Sequence, residues 1–186
     1  MLKPPRRTLH SNCAHAKLRY NDDMEIAKNQ YIRTIIFAVE DSLVSTTGLI
    51  AGISVGTSNK AVVVVSGIVG IAVEAISMGA SQYISDDAIE QTIKNRHNHQ
   101  ALKDGILMLV AYFVAGLVPL LPVVFVSYPT SLYYSVTLAL VGLVILGYVK
   151  SRVLQTNPLR GAIKVVIVGG LATLLGIIVG LVFKIN

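Results

Sequence analysis

Tryptophan is absent, cysteine occurs once, and charged residues make up only 14% of the chain. Each scarcity excludes something. A single cysteine, Cys13, can neither close an intramolecular disulfide nor build a cysteine-rich metal centre, and it reads as a free thiol in a solvated segment. Without tryptophan, anchoring at a lipid–water boundary falls to the eight tyrosines and to Lys and Arg. Soluble domains carry about 25% charged residues. A much lower share here, beside 53% hydrophobic residues, excludes an ordinary soluble fold, because so much apolar surface needs lipid as well as protein to cover it.

What is present is organised in runs. Residues 1–32 mix acids and bases and hold no apolar core of signal-peptide length, so they are expected to form a polar tail ahead of a membrane domain over 33–186. Five apolar runs follow, at about 34–55, 61–84, 105–126, 132–149 and 162–183. Each approximates the roughly 20 residues a helix needs to cross the hydrocarbon layer. Helices are the expected form, since isolated strands would leave backbone groups unpaired in lipid. The predicted fold class is therefore an all-α bundle of five transmembrane helices, with the lipid bilayer as its first partner.

The connections are polar. Thr57-Ser58-Asn59-Lys60 reads as a tight turn. Residues 85–104 form a longer charged stretch in which Glu90 and Lys94, four apart, suit a solvated helical extension. Seven Lys/Arg lie in residues 1–33, three in 85–104 and three in 150–160, whereas the opposite-side loops hold only Lys60. Lys184 follows the last run, and Lys164 can snorkel towards the basic side. By the positive-inside rule the N-terminus is expected in the cytosol and the C-terminus across the membrane. The net charge of +6 is accounted for by this asymmetry and calls for no nucleic-acid partner.

Of ten acids, three sit inside apolar runs: Glu40, Asp41 and Glu74. A carboxylate at membrane depth costs about 2.5–3.5 kcal/mol even on the mild insertion scale, and ordinarily marks an ion path or proton relay. Asp41 falls ~12 Å from the cytosolic edge, and on the returning second helix Met78 falls at ~10 Å and Glu74 at ~16 Å. Glu74 and Met78 share a helix face, as do Asp41, Ser45, Gly48 and Gly52. The expected metal site is therefore Asp41, Glu74 and Met78, with Glu40 and the hydroxyls of Ser45 and Ser77. Carboxylates and hydroxyls suit hard cations such as Mn²⁺, and a thioether adds softness that favours Fe²⁺ over Mg²⁺ or Ca²⁺. Paired carboxylates can also exchange bound protons for a cation. The simplest alternative makes Met78 a packing residue and turns Glu40, about 100° round the helix from Asp41, towards a neighbour.

Other features support this frame. Asp86, Asp87 and Glu90 could gather cations at an entrance, or form a solvated helix face. Gly48, Gly52 and Gly56, and likewise Gly176 and Gly180, form small-residue ridges expected to permit close helix packing. Pro119 and Pro122 are expected to kink the third helix and free backbone carbonyls. His97 and His99 would diverge on a helix, so no metal site is expected there. No histidine lies in the spans and no Gly-x-Ser-x-Gly elbow occurs, which argues against an intramembrane enzyme.

Three stretches carry a resemblance. Residues 37–52, FAVEDSLVSTTGLIAG, resemble the first-helix signature of the vacuolar iron transporter family, N-D-G-[IL]-V-S-T-x-G-L-x-x-G. Residues 76–85, ISMGASQYIS, resemble its second-helix S-M-x-x-G-E-Y-x-S, and residues 115–122, AGLVPLLP, its third-helix G-x-x-x-P-L-L-P. The resemblance covers about residues 33–184. It implies a homodimer of five-helix subunits that exports Fe²⁺, and often Mn²⁺, from the cytosol in exchange for protons. The metal is then cargo, no cofactor is permanently bound, and Asp41 and Met78 belong to the path. The membrane would be vacuolar in a eukaryote and the plasma membrane in a prokaryote.

The chain departs from that pattern. Glu40 stands where Asn is usual, Ser42 replaces Gly, Ser81 replaces Gly, and Gln82 replaces Glu. Glu74 appears where the family has a small residue, so one carboxylate is lost and another gained two turns deeper. The long cytosolic metal-gathering domain of some members is missing between the second and third helices. The competing reading is a non-transporting membrane metal sensor or scaffold.

Overall fold

The computed structural model describes residues 6–92, 100–153 and 157–184, with side chains from residue 30 onward except Pro158. His97, His99, Lys94 and the side chain of Cys13 lie outside the described residues. The chain divides into two compact units, Met1–Arg33 and Thr34–Asn186. Among the described residues five helices follow one another: α1 (Arg6–Thr57), α2 (Lys60–Thr92), α3 (Gln100–Phe125), α4 (Thr130–Val153) and α5 (Pro158–Val182). Each contains a segment long and apolar enough to cross a membrane, the first being Gln30–Thr57. The protein is a multi-pass membrane protein.

Local chemistry sets the helix ends. Ser58 takes a left-handed backbone, φ 53°, and turns the chain between α1 and α2. The Asn59 side-chain oxygen then accepts from the N–H groups of Ala61 (3.0 Å) and Val62 (3.4 Å), satisfying donors the first turn of α2 would otherwise leave open. Asn157 caps α5 in the same way, accepting from Leu159 N–H at 3.1 Å, with Pro158 at the first helical position.

Packing follows stripes of small residues. The buried positions of α2 recur every four residues, Val63, Gly67, Ile71, Ala75 and Gly79, and those of α4 do likewise from Ser131 to Ser151. Other faces stay apolar and exposed, as at Val65, Val73 and Ile76, each 61% accessible, which suits lipid and not water. The glycine ridge of α1 runs along α5. A Cβ on Gly52 would come within 2.8 Å of the Gly176 carbonyl oxygen, and one on Gly48 within 3.0 Å of the Ala172 carbonyl oxygen. The expected packing role of Gly48, Gly52, Gly56, Gly176 and Gly180 thus takes the form of one α1–α5 seam. A second close crossing joins α2 to α3, where a Cβ on Gly79 or on Gly105 would lie 2.8 Å from the other's carbonyl oxygen.

Helix α3 continues through Pro119 and Pro122. Bonds from neighbouring helices support its backbone: Ser42 Oγ donates to the Tyr112 carbonyl at 2.7 Å, and Ser135 Oγ donates to the Pro119 carbonyl at 2.6 Å. Ser42, in the position where the resembled signature has glycine, therefore ties α1 to α3.

Candidate metal-ion site

The core of the site is a three-way contact between α1, α2 and α3. Ser45 Oγ donates to Glu74 Oε2 at 3.1 Å. Tyr112 donates its phenolic hydrogen to the same oxygen at 2.6 Å. The two hydroxyl oxygens lie 2.7 Å apart. The short α1–α2 turn makes this possible, because it returns α2 antiparallel to α1 and sets Glu74 level with the Ser45 turn. A carboxylate in an apolar span needs such donors to offset its lost hydration.

Asp41 lies one helical turn before Ser45 and is half-buried, close enough to Glu74 for their charges to interact. Its carboxylate makes no hydrogen bond or ion pair within the described residues, so its oxygens are available to a ligand. Met78, one turn from Glu74, packs against the buried cluster of Ala38, Ala75, Met108 and Tyr112. Tyr112 of the site belongs to that same cluster. Asp41, Glu74, Ser45 and Met78 are therefore brought to one region.

Two candidates point elsewhere. Glu40 accepts from Lys150 Nζ of α4 at 2.7 Å, a half-exposed ion pair that draws it away from Glu74. This is the neighbour-facing alternative for Glu40, and its cause is the ~100° rotation between adjacent helical residues. Ser77 lies on the exposed face of α2, off the buried stripe, and joins no bond with the group. Among the described residues no three His, Cys, Asp or Glu side chains cluster closely enough to hold a metal ion. The local donor set is thus two carboxylates, a hydroxyl and a thioether.

The acids at the end of α2 are engaged. Asp86 accepts from Gln82 at 2.8 Å and Asp87 from Gln91 at 2.7 Å. Glu90 Oε1 accepts from the Ala101 N–H at 3.0 Å and so serves the N-terminus of α3. Gln82, standing where the resembled motif has Glu, is the partner of Asp86.

Three residues of this region were not legible as site residues in the sequence. Tyr112 offered one signal, a phenolic hydroxyl in an apolar span that must find a partner. Lys150 read only as an orientation charge. Asp104 read as part of a solvated stretch, yet it is fully buried. The reason is that α3 begins at Gln100, so Asp104 is already a turn inside the bundle, beside the Gly79–Gly105 crossing.

A groove of about 520 Å³ opens beside the site, lined by the glycines of the α1–α5 seam, by Leu175, Val179 and Phe183, and by Ser45 and Glu74 at its polar end. Thr57 adds a hydroxyl further along α1, and Glu74 is the charged residue of the lining.

A family model of the VIT family matches residues 32–101 and 86–181. Vacuolar iron transporter 1 of Tulipa gesneriana is 23% identical over 84% of this chain and 88% of its own length. Vacuolar iron transporter 1 of Arabidopsis thaliana is 22% identical over 92% of this chain and 90% of its own. Vacuolar iron transporter cccA of Arthroderma benhamiae is 34% identical over a shorter stretch, 40% of this chain and 30% of its own.

Proposed function

Because the chain belongs to the VIT family, we propose that it carries Fe²⁺ or Mn²⁺ out of the cytosol in exchange for protons. The observation that supports this most is the meeting of Glu74 from α2 with Ser45 from α1 at 3.1 Å, one turn from the open carboxylate of Asp41. Buried polar groups of this kind in a spanning bundle are costly and are kept where an ion must pass.

In this reading the metal approaches from the side of the Asp86 and Asp87 turn. Asp41 and Glu74 supply carboxylate oxygens and Ser45 a hydroxyl oxygen. Met78, from the same face of α2 as Glu74, contributes sulfur and favours Fe²⁺ over harder dications. The carboxylate pair exchanges a bound proton for the dication, which couples the two flows. Glu40, held by Lys150, and Ser77, on the outer face, stand outside the donor set. The N-terminus is cytosolic, and two copies form the working unit. In a eukaryotic cell the membrane is that of the vacuole.

Proteoliposomes loaded at a different pH from the bath provide the test. Wild type is expected to take up Fe²⁺ and Mn²⁺ only down an opposing proton gradient, with uptake reduced about 100-fold or more in Asp41→Ala, equivalent to losing one strong charge-assisted interaction of about 3 kcal/mol. Glu74→Ala is expected to lose uptake similarly. A folded wild type that moves neither metal would overturn the reading in favour of a sensor or scaffold.

A further inference from the structure

Glu74 does not present its two oxygens equally. Oε2 takes the Tyr112 hydroxyl at 2.6 Å, and the Ser45 hydroxyl, whose single hydrogen serves either Oε2 at 3.1 Å or the phenol oxygen at 2.7 Å, closes the same side of the carboxylate. Oε1 takes no such bond within the described residues. Tyr112 is itself held firmly. The residue is 1% exposed, its side chain packs with Ala38, Ala75 and Met108, and its carbonyl is fixed by Ser42 at 2.7 Å. The phenol cannot swing away without emptying part of the core.

We propose that Tyr112 is a specificity-determining positioning residue, which with Ser45 occupies Oε2 of Glu74 so that the carboxylate meets a metal ion through Oε1 alone and Ca²⁺ is disfavoured against Mn²⁺ and Fe²⁺. The inference rests on the transport reading of the same site. The chemistry is that of coordination number. Ca²⁺ takes about six to eight oxygen ligands at long distances, often gaining them from bidentate carboxylates. A first-row transition metal takes fewer donors and accepts sulfur. A site of two carboxylates in which one is held to a single oxygen is short of ligands for Ca²⁺ and sufficient for Mn²⁺. Releasing Oε2 restores the second oxygen and with it the larger ion.

The test is Mn²⁺ uptake into proteoliposomes with Ca²⁺ as competitor, in wild type, Tyr112→Phe, Ser45→Ala and the control Tyr133→Phe, whose side chain is 71% exposed and remote from the site. Tyr112→Phe keeps the ring and removes only the donor. The expected result is a fall of about tenfold in the Ca²⁺ inhibition constant, the scale of one hydrogen bond to a charged group. The KM for Mn²⁺ should change by less than about threefold, since Mn²⁺ gains little from a second Glu74 oxygen. Ser45→Ala removes the hydroxyl that supports this pair and also an oxygen assigned to the metal, so it is read as the ratio of the Ca²⁺ inhibition constant to the Mn²⁺ KM; that ratio should fall, and it decides the matter if the phenylalanine variant fails to fold. An unchanged Ca²⁺ constant in folded variants that still move Mn²⁺ overturns this inference and leaves the transport reading intact. A wild type that moves no metal fails at the earlier step, and the inference falls with it.

Discussion

At the scale of the residue, the most informative contacts are those made by polar groups inside apolar spans. Glu40 and Asp41 are adjacent in sequence, yet one is bound to Lys150 at 2.7 Å and the other is left open beside Glu74. Lys150 therefore keeps a third carboxylate out of the site. Lys150→Met is expected to lower the KM for Mn²⁺, because an uncompensated Glu40 adds negative potential next to Asp41. An unchanged KM would show that Glu40 stays electrically apart. Glu40→Gln should cost about 1 kcal/mol or less in thermal unfolding in detergent, the scale of a half-exposed ion pair. Much of this scale was legible: Asp41, Ser45, Glu74 and Met78 share faces by spacing alone. Tyr112 was not, because its role depends on the rotation of α3 about its axis. In lipid both faces of a helix are apolar, so periodicity says little about which face turns inward.

At the scale of the element, glycine decides where helices approach. A Cβ on Gly176 would collide with the Gly48 carbonyl and lie 2.9 Å from its carbon, whereas one on Gly170, six residues earlier on the same helix, meets nothing within 4 Å. Gly176→Ala is accordingly expected to cost about 1–3 kcal/mol through overpacking against backbone that cannot yield. Gly170→Ala should leave stability unchanged or raise it by at most about 1 kcal/mol. Thermal unfolding of the two variants side by side tests whether the seam, and not glycine content, is what matters. An equal loss in both would refute it. The ridges themselves were readable from fours in the sequence, but their pairing was not: nothing in the spacing says that the partner of α1 is α5.

At the scale of the whole molecule, five spans were plain from length and hydropathy, since a helix must be about 20 apolar residues long to cross and little else in a sequence is. The burial of Asp104 was hidden at this scale, because a charged loop and the first turn of a helix look alike until the start of α3 is known. An odd number of spans puts the two ends of the membrane unit on opposite sides. With Cys13 replaced by Ser, a cysteine introduced at Lys184 should react with an impermeant thiol reagent only from the non-cytosolic side, while Cys13 in the wild type should react only from the cytosolic side. Labelling of both from one side would overturn the five-span topology and the orientation inferred from the basic loops.

The α1–α5 seam also has a meaning in time. Of these five spans α1 is made first and α5 last, with three helices made between them. Until α5 is inserted, the α1 ridge has only lipid against it, and backbone carbonyls that will touch α5 wait exposed. The Ser45–Glu74–Tyr112 contact lies within α1, α2 and α3, whereas the groove beside it gains its last wall only when α5 docks. The α1–α5 seam thus closes only after α2, α3 and α4 have been made.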